Sequence, residues 1–194
     1  KQMLLSEIHH RVKNNLSIVS SLIELQKGNI NQNDDETFHE IQSRIKSIAL
    51  VHEKLYQTET LADVDLAEYI QDLIRMISAT YSSSGLRIKL IEDLEPQVAS
   101  ITKAVPIGLI CNELLNNCYK HAFPGKSEGE IAVSLKNDGE NIHFTVSDNG
   151  VGLPEAFNID EQTSLGMTLL KAFARQVNGR LEYESNNGKG TYFS

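Results

Sequence analysis

Long apolar runs are absent from these 194 residues. No stretch approaches the roughly 20 residues that a membrane-spanning helix needs, and the charged first residues do not resemble a signal peptide. The sequence therefore reads as soluble and cytoplasmic, with no membrane contact within this chain. Because it starts inside a helical pattern, it also reads as the soluble end of something longer. Cysteine is scarce: Cys111 and Cys118 are the only two. They stand seven positions apart on an apolar helical face, without the close spacing of a zinc or redox site, so two reduced core thiols are expected. Basic charge is in the minority, 18 Lys and Arg against 26 Asp and Glu for a net charge of −8. That balance argues against a nucleic-acid partner. No internal repeat or low-complexity tract is present.

Two amphipathic runs fill the first part of the chain. Leu5, Ile8, Val12, Leu16, Val19 and Ile23 recur at the three-and-four spacing of a helix with one buried stripe. After a polar break at Asn29 to Asp35, the spacing returns with Phe38, Ile41, Ile45, Ile48, Val51 and Leu55. This predicts an antiparallel helical hairpin over residues 1–57, and pairing with a second copy would cover its exposed stripes. Residues 58–65, "TETLADVD", read as a linker. Beyond it, helices mix with strands over 66–194. Helices are predicted for Leu66 to Ala79, Ala104 to Phe123 and Leu165 to Val177. Strands are predicted for Leu86 to Ile91, around Ile131, Val133 and Leu135, around Ile142, Phe144 and Val146, and in "RLEYES" and "GTYFS". Antiparallel strands with helices gathered on one face give an α+β class and a two-layer sandwich.

The adjacent histidines in "EIHHRVKNNL" are separated by helical geometry. At 100° per residue with His10 at zero, Val19, Val12 and Ile8 fall between about 160° and 200°, so His10 points away from the apolar stripe. Glu7 and Asn14 share its outward face, within reach at i−3 and i+4. His9, at about 260°, flanks the stripe. In "NELLNNCYKH" the same arithmetic puts Glu113, Asn117 and Lys120 on one face, the latter two within about 40° of Glu113 on either side. A carboxylate, a carboxamide and an ammonium so arranged can hold a magnesium ion and a phosphate, and a solvated helix face is the plain alternative. "FTVSDNGVGLP" runs a strand into a glycine-flanked turn. There Asp148 can meet an exocyclic amine, and Gly150 and Gly152 let backbone approach a flat ligand. "TSLGMTLL" opens a helix, a ready place for phosphates. "GKGTYF" is by itself a plain turn before a strand.

The order of these segments resembles the N, G1, G2 and G3 boxes of the GHKL ATP-binding fold. With "HHRVKNN" ahead of them, the chain resembles the transmitter of a sensor histidine kinase, in the subgroup related to HWE kinases whose phosphoacceptor helix reads HRVKN. The resemblance covers essentially the whole chain. It implies a phosphoacceptor and dimerisation hairpin, then a GHKL-type catalytic domain, as the soluble C-terminal part of a longer sensor. It further implies autophosphorylation from ATP with Mg2+, and transfer to an aspartate of a response regulator receiver domain.

Residue by residue, His10 matches the phosphorylated histidine. Asn117 matches the magnesium ligand, and Lys120 and His121 match N-box phosphate contacts. Asp148 matches the adenine-reading aspartate. Gly150 and Gly152 match the first glycine box, Gly166 the second, and Gly188 and Gly190, followed by Thr191, the third. Glu113 stands where related ATPases keep a catalytic glutamate, and is a second candidate metal ligand. Arg11 replaces the acid that commonly follows the phosphoacceptor, which leaves Glu7 as the candidate base beside Asn14. The second box reads SLGM, and the short spacer "EAFNIDEQTS" implies a short lid over ATP. The chain stops close behind the third box, so its final strand is expected to be clipped or frayed. Association as a homodimer through the hairpin is expected, with a monomer as the alternative.

An exposed imidazole has an ordinary pKa of about 6.5, so near neutral pH much of it is nucleophilic without a strong base. Two other readings fit parts of the pattern. One is an ATPase in which Glu113 activates water, and the other is a catalytically silent scaffold that binds receiver domains.

Overall fold

The structure, a computed structural model, describes residues 41–50, 63–82, 85–186 and 189–194. The segment expected to form the first helix of a hairpin, with Glu7, His9, His10 and Asn14, the polar break, and Gly188 lie outside the described residues. Of the hairpin's second run, residues 41–50 are helical and are called α1.

Asp63–Asp65 form a short strand, β1, that pairs antiparallel with β3, Val98–Ser100. The linker expected at 58–65 therefore gives up its last three residues to the folded body. Asp65 also caps α2, Leu66–Tyr81, where its carboxylate accepts from the Glu68 N–H at 3.0 Å. The apolar spacing of α2 then buries Leu66, Tyr69, Ile70, Leu73, Ile74 and Ile77 on one face.

The main sheet runs in the order β2 (Arg87–Leu94), β4 (Glu128–Asn137), β5 (Ile142–Asp148), β7 (Gly190–Phe193), β6 (Tyr183–Asn186). The expectation of a wholly antiparallel sheet is corrected at one place, because β2 and β4 are parallel, with Leu90 opposite Ile131. Between them the chain crosses over through β3 and a long helix, the connection that parallel neighbours require. The other pairs are antiparallel, with Val133 opposite Val146 and Val146 opposite Phe193. Ile131, Val133 and Leu135 alternate into the core as their spacing predicts. The strand end is not frayed: Ser194 and Glu182 exchange backbone hydrogen bonds of 3.0 and 2.7 Å.

The long helix α3, Ile101–Asn117, begins and ends differently from the predicted 104–123. The five residues that follow it, Cys118–Ala122, are wound as a π-helix. Residues 104–115 are buried all round, since α3 packs against α2, the sheet and α4, Leu165–Gln176. A helix buried on every side belongs at the centre of a domain. Its crossing with α2 depends on Gly108. A Cβ there would lie 2.1 Å from the Tyr69 hydroxyl and 2.5 Å from two ring carbons. The ring cannot yield, because Tyr69 is fully buried and its hydroxyl donates to the Ser47 carbonyl at 2.9 Å. Gly108→Ala is expected to cost about 1–3 kcal/mol through overpacking. In a chain this size, thermal denaturation should show a fall in Tm of about 2–4 °C per kcal/mol.

Candidate active site

The site forms where the end of β5, the π-turn after α3, the opening of α4 and the start of β7 converge. Asp148 is the last residue of β5, as its position before "NGVG" predicts. Its Oδ1 accepts from the Gly150 N–H at 2.8 Å, and its Oδ2 faces the Cys118 thiol at 3.8 Å. Burial pushes the carboxyl's pKa above 3.8, against hydrogen bonds from the Gly150 and Thr191 backbone N–H groups and the Cys118 thiol, which lower it. A partly desolvated carboxylate with unused lone pairs is suited to accept from a ligand amine.

Glycine is needed around this carboxylate for contact reasons. At Gly150 a Cβ would stand 2.2 Å from the Ala122 carbonyl oxygen. Next to it, the Val151 N–H donates to that same oxygen at 2.9 Å. The loop is thus stitched to the π-turn, and the wider π-winding presents the Ala122 carbonyl to it. Gly152 follows with φ +78°. Its neighbour Leu153 donates its N–H to Ser185 Oγ at 2.6 Å, tying the loop to β6. On the opposite side Gly190 has φ +96°, and a Cβ there would lie 1.8 Å from the Asp148 carbonyl oxygen. Thr191 pairs with Asp148 and is buried.

At the opening of α4, Ser164 caps the helix and accepts from the Met167 N–H at 3.5 Å. Between the loop and this helix, the lid expected to be short carries a single 3-10 turn, Ile159–Glu161. It is held at both ends. The Tyr183 hydroxyl donates to the Phe157 carbonyl at 2.9 Å, and the Lys171 ammonium donates to the carbonyls of Ile159, Asp160 and Gln162 at 3.0–3.3 Å.

The row expected from Glu113, Asn117 and Lys120 divides. Asn117 and Lys120 are half-buried and His121 is exposed. Glu113, 5% exposed, instead faces α1. Arg44 Nε donates to its Oε1 at 2.5 Å and Arg44 Nη2 to its Oε2 at 2.8 Å. Beside it, a Cβ at Gly166 would be 3.1 Å from Glu113 Oε2, so the carboxylate also fills the space above the second glycine box. Further along the same contact, Asn112 donates to Ser43 Oγ and Ser47 Oγ, both at 2.8 Å. Cys111 and Cys118 are free, buried thiols, as expected, and burial raises the pKa of both.

The periodicity of the second run does not single out Arg44, although a signal is present. It sits three after Ile41 and four before Ile48, on the apolar stripe. A guanidinium there must find a buried partner. Ile45, assigned to that stripe, is 38% exposed, while Arg44, Ser47 and Ile48 take the buried face. The contacts of Cys118 and Lys171 leave no sequence signal, since their partners come from distant segments and from backbone carbonyls.

Comparison with known proteins agrees with this arrangement. Residues 7–81 match the HisKA_2 family, described as "Histidine kinase". Residues 102–194 match the HATPase_c family, described as "Histidine kinase-, DNA gyrase B-, and HSP90-like ATPase". The chain is 31% identical over 195 residues to the sensor histidine kinase PdtaS of Mycobacterium tuberculosis, covering 98% of this chain and 38% of that one. It is 24% identical over 192 residues to blue-light-activated histidine kinase 2 of Erythrobacter litoralis, covering 96% of this chain and 54% of that one. It thus spans between about a third and about half of these relatives' length. Among solved structures, the histidine kinase domain of the Erythrobacter litoralis EL346 blue-light activated kinase superposes with a TM-score of 0.77 at 22% identity, covering 97% of this chain and 90% of that one. Its likeness extends across α1 and the nucleotide-domain fold together. With one family over the segment that holds "HHRVKNN" and α1, and the other over the Asp148 cleft, the chain belongs to the histidine kinases, as a transmitter region of the HWE-related type.

Proposed function

We propose that this chain is the core of a two-component sensor kinase that phosphorylates its own His10 from Mg-ATP and passes the phosphoryl group to an aspartate of a response regulator receiver domain. The observation that carries this reading is the Asp148 carboxylate, partly desolvated between the close approaches at Gly150 and Gly190. It offers an acceptor for the amine of adenine, and the close backbone contacts at Gly150 and Gly190 fix its place at the end of β5. The phosphates then run toward Asn117, Lys120 and His121 and the free N–H groups at the opening of α4. Among the described residues no cluster of three or more His, Cys, Asp or Glu could hold a metal ion. A magnesium ion would therefore rest on the Asn117 carboxamide and the ATP phosphates, the mixed ligation this ion favours, and would offset negative charge on them. Glu113, the second candidate ligand, is engaged by Arg44 in this arrangement.

In the transfer, a neutral His10 nitrogen attacks the γ-phosphorus in line, the bond to the bridging oxygen breaks, and ADP leaves. Little activation of the imidazole is needed, with Glu7 as candidate base and Asn14 beside it. Positioning and charge neutralisation supply most of the acceleration. Association through the hairpin into a homodimer completes the proposal.

The test is incubation of the purified chain with γ-labelled ATP and magnesium. An acid-labile, alkali-stable label is expected, lost in His10→Gln and in Asn117→Ala. Label that persists in His10→Gln would move the acceptor, with His9 the next residue to test.

A further inference from the structure

The Arg44–Glu113 pair is the least expected feature of the site. A buried ion pair is a poor source of stability, because desolvation of both partners offsets most of their attraction. Here both side chains are only 3% and 6% exposed. The bidentate fork commits both carboxylate oxygens at once. The pair is also long-range, 69 residues apart, and joins the two halves of the chain. Arg44 belongs to the segment that matches HisKA_2, and Glu113 to the segment that matches HATPase_c. Around it the contact is polar: Asn112 binds Ser43 and Ser47, and Tyr69 binds the Ser47 carbonyl.

Glu113 lies one turn before Asn117, with an oxygen against the backbone of Gly166 at the opening of α4. That is the end of the cleft where the terminal phosphate is placed by the proposed function, on which this inference rests. A carboxylate there with a lone pair to spare would act as a general base on water. Water oxygen would attack the γ-phosphorus, the bond to the ADP oxygen would break, and the water proton would pass to the carboxylate and then to solvent. That reaction would waste the phosphoryl group intended for histidine.

We propose that Arg44 is a positioning residue that holds Glu113 away from water, so that ATP in the cleft is kept for histidine instead of being hydrolysed. The restraint is supplied by the half of the chain that carries the acceptor. It therefore operates while α1 is docked on α3.

The experiment measures phosphate release and protein label in parallel on the full chain with Mg-ATP. Arg44→Gln is expected to raise phosphate release at least about tenfold with KM for ATP unchanged, a barrier change of about 1.4 kcal/mol. Arg44→Gln combined with Glu113→Gln is expected to return release to the wild-type level. Arg44→Lys, which keeps the charge and loses the fork, should show a smaller rise. Amide exchange at residues 41–50, measured without nucleotide, should increase in Arg44→Gln. A folded Arg44→Gln with unchanged release, or a rise that survives in the double variant, would overturn the proposal. Should Arg44→Gln fail to fold, Arg44→Lys decides it, and no rise there overturns it as well. Absence of label on wild-type His10 together with the expected hydrolysis pattern would remove the kinase reading and its purpose for the restraint, and leave only the restraint of Glu113 by Arg44.

Discussion

Asp148→Asn is expected to weaken binding of ADP or ATP by at least about 100-fold, or about 2.7 kcal/mol, while the chain stays folded. The replacement is isosteric, and its single oxygen can still accept the Gly150 N–H that Asp148 Oδ1 takes at 2.8 Å. What it presents in place of the second oxygen is an NH2 group, a donor set against the donor amine of adenine. An unpaired buried donor on either side carries the full desolvation cost. Isothermal titration with ADP on the full chain checks the affinity, and thermal denaturation checks the fold.

A pH dependence comes from the same group. Burial raises the folded pKa of Asp148 above 3.8, so the proton binds more tightly in the folded chain. Its contribution to stability is then fully present below pH 3.8 and is lost as pH rises through the folded value. Nucleotide affinity runs the opposite way, because the amine needs an ionised acceptor. In the wild type, affinity should fall as pH drops through that raised value, beginning above 3.8. The weak residual binding of Asp148→Asn should lack this acid limb. A wild-type affinity that stays flat as pH falls from 7 to below 3.8 would remove Asp148 from adenine recognition.

Period and punctuation make much of this architecture legible. The alternation at Ile131, Val133 and Leu135 and the three-and-four spacing from Leu66 to Ile77 are local consequences of burying one face, and they appear in the structure as expected. Asp148, too, is marked by a strand meeting a glycine turn. What escapes is set by distant partners or by geometry too short to repeat. A three-residue strand such as β1 has no room for alternation. The parallel pairing of β2 with β4 depends on a crossover that neither strand encodes. A helical wheel assumes uniform α-winding through Lys120, but the chain changes to π-winding at Cys118, so angles counted across that point drift. A wheel that contains α3 alone places Glu113 on a row with Asn117. It cannot include Arg44, which fixes the direction of that carboxylate.

Gly190→Ala is expected to be the most damaging single methyl in the nucleotide domain, and comparison with Gly139 shows why. The two glycines have nearly the same backbone, φ +96° and +94°. In that region any L-residue is strained by about 1 kcal/mol or more. Gly139 sits in the exposed turn between β4 and β5, where an added Cβ meets nothing within 4 Å. Only the conformational strain should appear in Gly139→Ala. At Gly190 the same Cβ would lie 1.8 Å from the Asp148 carbonyl oxygen and 2.9 Å from the Asn149 Cα. Both neighbours are backbone, so no rotamer can relieve the clash, and β7 must move off β5 where Thr191 pairs with Asp148. The expected cost is about 3 kcal/mol beyond the Gly139→Ala value. At about 2–4 °C per kcal/mol, Tm should fall by about 6–12 °C further. Nucleotide binding should be lost with it, because the displaced strand carries the Thr191 N–H that holds the Asp148 carboxylate. Equal melting temperatures for the two variants would mean that β7 can shift without cost, and the clasp around Asp148 would then have to be looser than its contacts imply.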